Sequence, residues 1–249
     1  MLQVLHHGPI HEIRLARPPA NALNGDLLTQ LRDTVLAAPG NGAQGLILSG
    51  GPGFFSGGMD VPVLMALDRS ALMVAWQHFF AAVRALAKSP IPVAAAIGGH
   101  APAGGCVLAL CCDYRVMALG PSRIGLNETQ VGLAVPDAIQ QLMRRVVGTY
   151  RAERLIVAGA MIDSATAERI GLVDELTDAE HVAVRAAHWL EELLALPRAP
   201  MLASRAIARA DMIKALDDFS DADLGRFLEQ WDSPDTQAAM SALMARLKK

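Results

Sequence analysis

Short runs of apolar residues interleaved with polar ones cover Val4–His7 and Ile10–Leu15, on either side of Gly8-Pro9, and predict a pair of strands joined at that break. Helical spacing of apolar positions follows from Asn24 to Ala37 and stops at Pro39-Gly40. Gly45–Ser49 reads as a short buried strand, and the glycine-rich turn Gly50–Gly58 comes directly after it. A long helical pattern covers about 70–88, and Pro90 and Pro92 bracket the next strand, Val93–Ile97. Gly98 and Gly99 open a loop that leads to a second glycine pair, Gly104-Gly105. Cys106–Cys112 is apolar on every side, as a fully buried helix is. Strands are predicted at Tyr114–Met117 and Arg123–Gly125, with mostly helix from Asp137 and amphipathic helices alone after Pro197-Arg198. Strand, glycine turn and helix recur, so an α/β chain of stacked units is expected, with its glycine loops, and its function, at one end.

Composition adds a constraint on how this chain hides apolar surface. Its 249 residues are 52% hydrophobic and 19% charged, with a mean hydropathy of +0.29. Gly98, His100 and Pro102 interrupt the best apolar stretch and Asp113 closes the next, so no membrane span is expected and the surplus is assigned to a subunit interface and buried helix. A net charge of -3, a pI near 6.1 and the lack of a Lys/Arg cluster argue against a nucleic-acid partner. Cys106, Cys111 and Cys112 share one apolar segment without metal-ligand spacing and are expected as reduced core residues. Residues 1–20 lack a signal-peptide pattern and 246–249 lack a peroxisomal address, which leads to an expected cytoplasmic location.

Two kinds of residue could carry chemistry. The turns Ser56-Gly57-Gly58-Met59-Asp60 and Ala103-Gly104-Gly105 could present bare backbone N–H groups, and the second opens a buried helix whose dipole favours a developing oxyanion. Glycine pairs serve tight turns and close packing as well, and neither turn matches a phosphate loop or dinucleotide fingerprint. Asn127-Glu128-Thr129-Gln130 is a polar tetrad between apolar groups, which would leave Glu128 half buried with a pKa raised toward neutrality; a turn capped by its own side chains is the other reading. His100 is the one histidine in a glycine loop, and no nucleophile elbow or metal-binding spacing is present.

Several motifs together resemble the enoyl-CoA hydratase/isomerase, or crotonase, superfamily. They are Arg17-Pro18-Pro19-Ala20-Asn21-Ala22-Leu23-Asn24, Phe55–Asp60, and Ile91–Ile97 continuing through Ala109 to Cys112-Asp113. Within the superfamily, Ala101–Cys106, Cys112–Arg115 and Ile124–Gln130 are most similar to mitochondrial-type delta3,delta2-enoyl-CoA isomerases. The resemblance implies a crotonase-like spiral core over 1–196 and a helical oligomerisation region over 197–249, assembled as a homotrimer or a dimer of trimers. It implies an acyl-CoA thioester substrate, with no metal or redox cofactor. The amides of Met59 and Gly104 would hold the thioester oxygen, and Glu128 would carry the proton. Ala20, Ala22, Leu23, Gly57, Gly58, Asp60, Val61 and Gly105 would contact the substrate, although Asp60 and Asp113 also fit a mainly structural part.

Val107 occupies the position where hydratases of the family place a second glutamate. A single carboxylate suffices to shift a double bond, whereas adding water is work usually shared by two. An isomerase is therefore expected, with a hydratase or a non-catalytic acyl-CoA-binding homologue as alternatives. Asp137 is either a second acid or an ordinary helix N-cap.

Overall fold

The computed structural model describes residues 1–247; Lys248 and Lys249, the end of the expected oligomerisation region, lie outside the described residues. The first hairpin, β1 (Leu2–His7) and β2 (Ile10–Leu15), leads to helix α1 (Gly25–Ala37), whose first turn is capped by the Asn24 side chain accepting from the Leu27 amide at 3.0 Å. Strand β3 (Gly45–Ser49), the short β4 (Gly53–Phe54) and helices α2 (Val61–Leu64) and α3 (Arg69–Ala87) follow. Then come β5 (Val93–Ile97), β6 (Gly99–Pro102), helix α4 (Gly104–Leu110), β7 (Tyr114–Ala118) and β8 (Arg123–Gly125). Helices α5 (Asp137–Val147) and α6 (Thr149–Val157), strand β9 (Ile162–Asp163), helix α7 (Ser164–Arg169), strand β10 (Glu175–Thr177) and helix α8 (Val182–Leu194) complete the first 196 residues. Four helices close the chain: α9 (Arg198–Ala208), α10 (Ala210–Asp218), α11 (Asp221–Trp231) and α12 (Pro234–Leu247).

The strands form two sheets, ordered β1-β2-β3-β5-β7-β10 and β4-β6-β8-β9. From β2 to β10 the first sheet is parallel, and its strands alternate between two buried faces. Leu46, Leu48, Val93, Ala95, Ile97 and Met117 point into the main core, while Ile47, Ala94, Ala96 and Val116 pack beneath Val182, Ala186 and Leu190 of α8. That two-sided burial explains why these segments read as continuous apolar runs.

Three times the chain leaves the first sheet and passes at once into the second: β3 to β4, β5 to β6, and β7 to β8. The segment after Gly98, expected as a loop, is therefore strand β6 in part. It packs so closely on β4 that a Cβ at Gly99 would lie 2.1 Å from the carbonyl carbon of Gly53. The last helices are continuous with the rest: Met212, Leu216, Leu224, Phe227, Leu228, Trp231 and Met240 belong to the same buried cluster as the sheet. Asp113 joins the two parts, receiving hydrogen bonds from Arg205 and Arg209 and from the amide of Val93.

Candidate active site

Pairing in the second sheet decides which loops meet. Gly53 and Phe54 of β4 pair with Gly99 and His100 of β6, and Ala101 and Pro102 of β6 pair with Ile124 and Gly125 of β8. The turns that follow these three strands, at 55–60, 103–105 and 126–133, are thereby set side by side. The amide of Ala103 donates to the carbonyl of Gly125 at 2.8 Å, which fastens the second turn to the third.

Each turn is held by contacts behind it. Ser56, fully buried, donates to the carbonyl of Asn21 at 2.9 Å and accepts from the amide of Gly58 at 3.2 Å. Leu23 and Met59 form an isolated parallel bridge in which the Leu23 amide donates to Gly58 and the Asp60 amide to Leu23. That pattern leaves the Met59 amide outside the ladder, and among the described residues neither it nor the amide of Gly104 donates to an acceptor. Ala103 has φ 45° and ψ -117°, a conformation costly for a side-chain-bearing residue, immediately before Gly104 opens α4. Gly58, at φ +78°, faces Gly104 so closely that a Cβ there would stand 3.3 Å from the Gly104 nitrogen.

The three turns border one cavity of about 560 Å³. Ala20, Ala22, Gly57, Met59, Asp60, Val61, Gly104 and Glu128 all line it. Leu23, Gly58 and Gly105 do not line it; Leu23 and Gly105 are buried behind the wall, and a Cβ at Gly105 would lie 2.5 Å from the Ser56 carbonyl oxygen. Asp60 lines the cavity with its carboxylate already engaged, paired with Arg17 at 2.6 Å and capping α2. Arg17 also donates to the carbonyl of Ala22, so this ion pair holds the 17–22 segment against the first turn.

Glu128 begins a 3₁₀ turn, Glu128–Val131, and is only 8% exposed. Its Oε2 is buried without a hydrogen-bond partner among the described residues, and burial pushes the carboxyl up from its ordinary 4.5 to about 7. A carboxyl with a pKa raised to about 7 thus lines the same largely apolar cavity as Met59 and Gly104, whose amides have no acceptor among the described residues. Val107 is fully buried in α4 and brings no polar group.

Asp137 lies elsewhere. Its side chain is 74% exposed, it pairs with Arg144 at 3.1 Å, and it is absent from the cavity wall, so the arrangement offers it no part as a second acid. The helix N-cap is Pro136 rather than Asp137, which is the first helical residue. His100 accepts from the Arg123 amide through Nδ1 and rests against Phe54. Burial raises all three cysteine thiols above their usual range, which leaves them inert. Asp178, Glu180 and His181 are exposed with ligand-type atoms within 4.8 Å of one another, and none of them reaches the cavity.

The sequence reading missed the far wall. Trp76 of α3 meets Phe227 of α11 edge-on, and Phe79 of α3, Trp231 of α11 and Met240 and Leu243 of α12 line the same cavity. The spacing of Trp76 and Phe79, and of Phe227 and Trp231, marks one face of each helix, but sequence alone does not say that the two faces share a pocket.

The enoyl-CoA hydratase/isomerase family model matches residues 6–249. Human mitochondrial enoyl-CoA delta isomerase 1 is 30% identical over 240 residues, which span 95% of this chain and 80% of that protein. A probable enoyl-CoA hydratase of Mycobacterium avium is 34% identical over 198 residues, 77% of this chain and 75% of the relative. The crystal structure of human mitochondrial delta3-delta2-enoyl-CoA isomerase superposes with a TM-score of 0.94 at 28% identity, over 99% of this chain and 98% of that one. This chain belongs to the enoyl-CoA hydratase/isomerase family and is an enzyme of the crotonase superfamily.

Proposed function

We propose that the enzyme is a delta3,delta2-enoyl-CoA isomerase that moves a double bond from C3 to C2 of a fatty acyl-CoA. The observation that carries this reading is the buried carboxyl of Glu128, whose Oε2 has no partner among the described residues, on a cavity whose other described carboxylate, Asp60, is neutralised by Arg17. The thioester oxygen accepts hydrogen bonds from the amides of Met59 and Gly104, each donor worth roughly 3 to 4 kcal/mol in the transition state. The Glu128 carboxylate removes a proton from C2, and the electron pair spreads through the double bond and thioester as a dienolate. The resulting carboxylic acid returns the proton to C4, which leaves the double bond at C2–C3 and Glu128 ionised again. A pKa of about 7 suits both halves of that exchange.

Hydration needs a second group to orient water or protonate carbon, and the apolar Val107 supplies none. The coenzyme A would lie along 20–22 and 57–61, and the acyl tail against the aromatic wall. The reaction calls for no cofactor beyond the coenzyme A of the substrate. Self-association as a trimer or dimer of trimers belongs to the same reading.

Parallel assays with 3-enoyl-CoA and 2-enoyl-CoA test it. Conjugation of the first with little hydration of the second is the expected outcome, and Glu128→Gln abolishes it while acyl-CoA still binds. Fast hydration of the 2-enoyl substrate would establish the hydratase reading instead. Binding without turnover across chain lengths would establish a non-catalytic acyl-CoA-binding protein.

A further inference from the structure

Because Oε2 of Glu128 has no hydrogen-bond partner among the described residues, the carboxyl is aimed by the backbone turn that carries it. That turn is clamped from two sides. On one, the Thr129 hydroxyl donates to the carbonyl of Ile156 in α6 at 2.8 Å. On the other, the turn ends at Gly132, whose amide returns to the Thr129 carbonyl and whose φ is +82°. There the Thr236 hydroxyl donates to the Gly132 carbonyl at 2.5 Å and accepts from the Ser233 hydroxyl at 2.9 Å. Thr236 is 1% exposed, and a Cβ at position 132 would lie 2.7 Å from its Cα, so the first turn of α12 is seated directly on Gly132. A lesser tie runs from the Ala134 amide to the side chain of Gln230 in α11 at 3.3 Å.

We infer that Thr236 is a positioning residue for the reaction: its hydrogen bond to Gly132 fixes the turn that aims Glu128 and couples that turn to the helix whose Met240 and Leu243 line the acyl cavity. Met240 follows Thr236 by four residues and so lies on the same face of α12. The wall beside the acyl chain and the seat of the base are thus parts of one helix. This rests on Glu128 being the working base, as proposed above.

Thr236→Val keeps the shape and removes the hydroxyl, and Thr236→Ser restores it. The expected result for Thr236→Val is a fall in kcat of about tenfold or more with KM within about twofold, the pattern of a displaced catalytic group rather than a lost binding contact. Thr236→Ser retains kcat within about threefold of the parent. Infrared difference spectra against Glu128→Gln, taken across pH, follow the carboxyl titration without any substrate, and its midpoint shifts in Thr236→Val. Unchanged kcat and an unchanged midpoint in Thr236→Val overturn the inference, as does a loss that Thr236→Ser shares in full. Should Thr236→Val fail to fold, Thr236→Ala, which differs from Thr236→Ser only by the hydroxyl, carries the same comparison. A parent enzyme without isomerase activity would refute the proposed reaction, while the infrared titration would still decide the role of Thr236.

Discussion

Burying the Glu128 carboxyl, whose Oε2 has no hydrogen-bond partner among the described residues, stabilises its acid form in the folded chain, and that has a defined sign. With a folded pKa raised from 4.5 to about 7, the native state holds the proton more tightly than the unfolded state does. The associated stability is complete below about pH 4.5 and is lost as pH rises through about 7. Glu128→Gln, neutral at every pH, escapes that loss, so above pH 7 it should exceed the parent in stability by up to about 3 kcal/mol, with the difference vanishing near pH 4. Urea titrations of both proteins at pH 4 and pH 8 measure it, and equal midpoints at both pH values would contradict a raised native pKa. The same carboxyl predicts that kcat/KM of the parent declines below about pH 7, since the base must be ionised to take the C2 proton. Stability and activity therefore respond to this one residue in opposite directions, the trade expected where a strained site serves chemistry.

The glycine turns act as packing devices as much as ligand-facing loops, and Gly105 shows which part dominates at its position. It is buried behind the cavity wall, and a methyl group there would collide with the Ser56 carbonyl oxygen, a backbone atom that cannot rotate aside. Gly105→Ala should push α4 and the 55–60 turn apart, with a loss of about 1 to 3 kcal/mol in thermal or urea unfolding and a marked fall in kcat. An unaltered melting midpoint would show that the two turns separate freely. Elements of this length also explain what sequence could and could not disclose. Runs such as Gly45–Ser49 and Val93–Ile97 are buried on both faces, so their apolar character announces them. Strands β4 and β9 hold two residues each, too few for any period to emerge, and β6 contains Gly99, His100 and Pro102, which read as loop. Glu128 and both turns stood out as polar or glycine-rich breaks in apolar surroundings. The aromatic wall did not, because Trp76 and Phe227 meet only after the intervening chain has folded. Asp137 is a candidate only through the family resemblance, and as the first residue of α5 it lies exposed against Arg144.

For the molecule as a whole, the apolar surplus of the composition has to be covered, and α9 is one place where a single chain leaves it exposed. That helix contains no buried residue, although it is amphipathic, and Ile207 is 78% exposed. Beside it runs a groove between α8 and α9, bordered by Leu193, Leu196, Pro200 and Met201. The base of α9 is fixed from within: Arg205, together with Arg209 just beyond it, grips the half-buried Asp113, so the helix is presented on a firm support. A firm amphipathic helix with an uncovered apolar face is the kind of surface that copies of one chain bury against each other. The proposed trimer or dimer of trimers therefore predicts a sedimentation mass of three or six chains at micromolar concentration. Met201→Glu combined with Ile207→Glu should shift that mass toward the monomer, since two charges per copy would be buried without partners. Because the described cavity is walled by one chain, including its own α11 and α12, the dissociated variant should still bind acyl-CoA. A parent protein that sediments as a monomer, or a variant that keeps its assembled mass, would place the contact on another face and leave α9 exposed for a different reason.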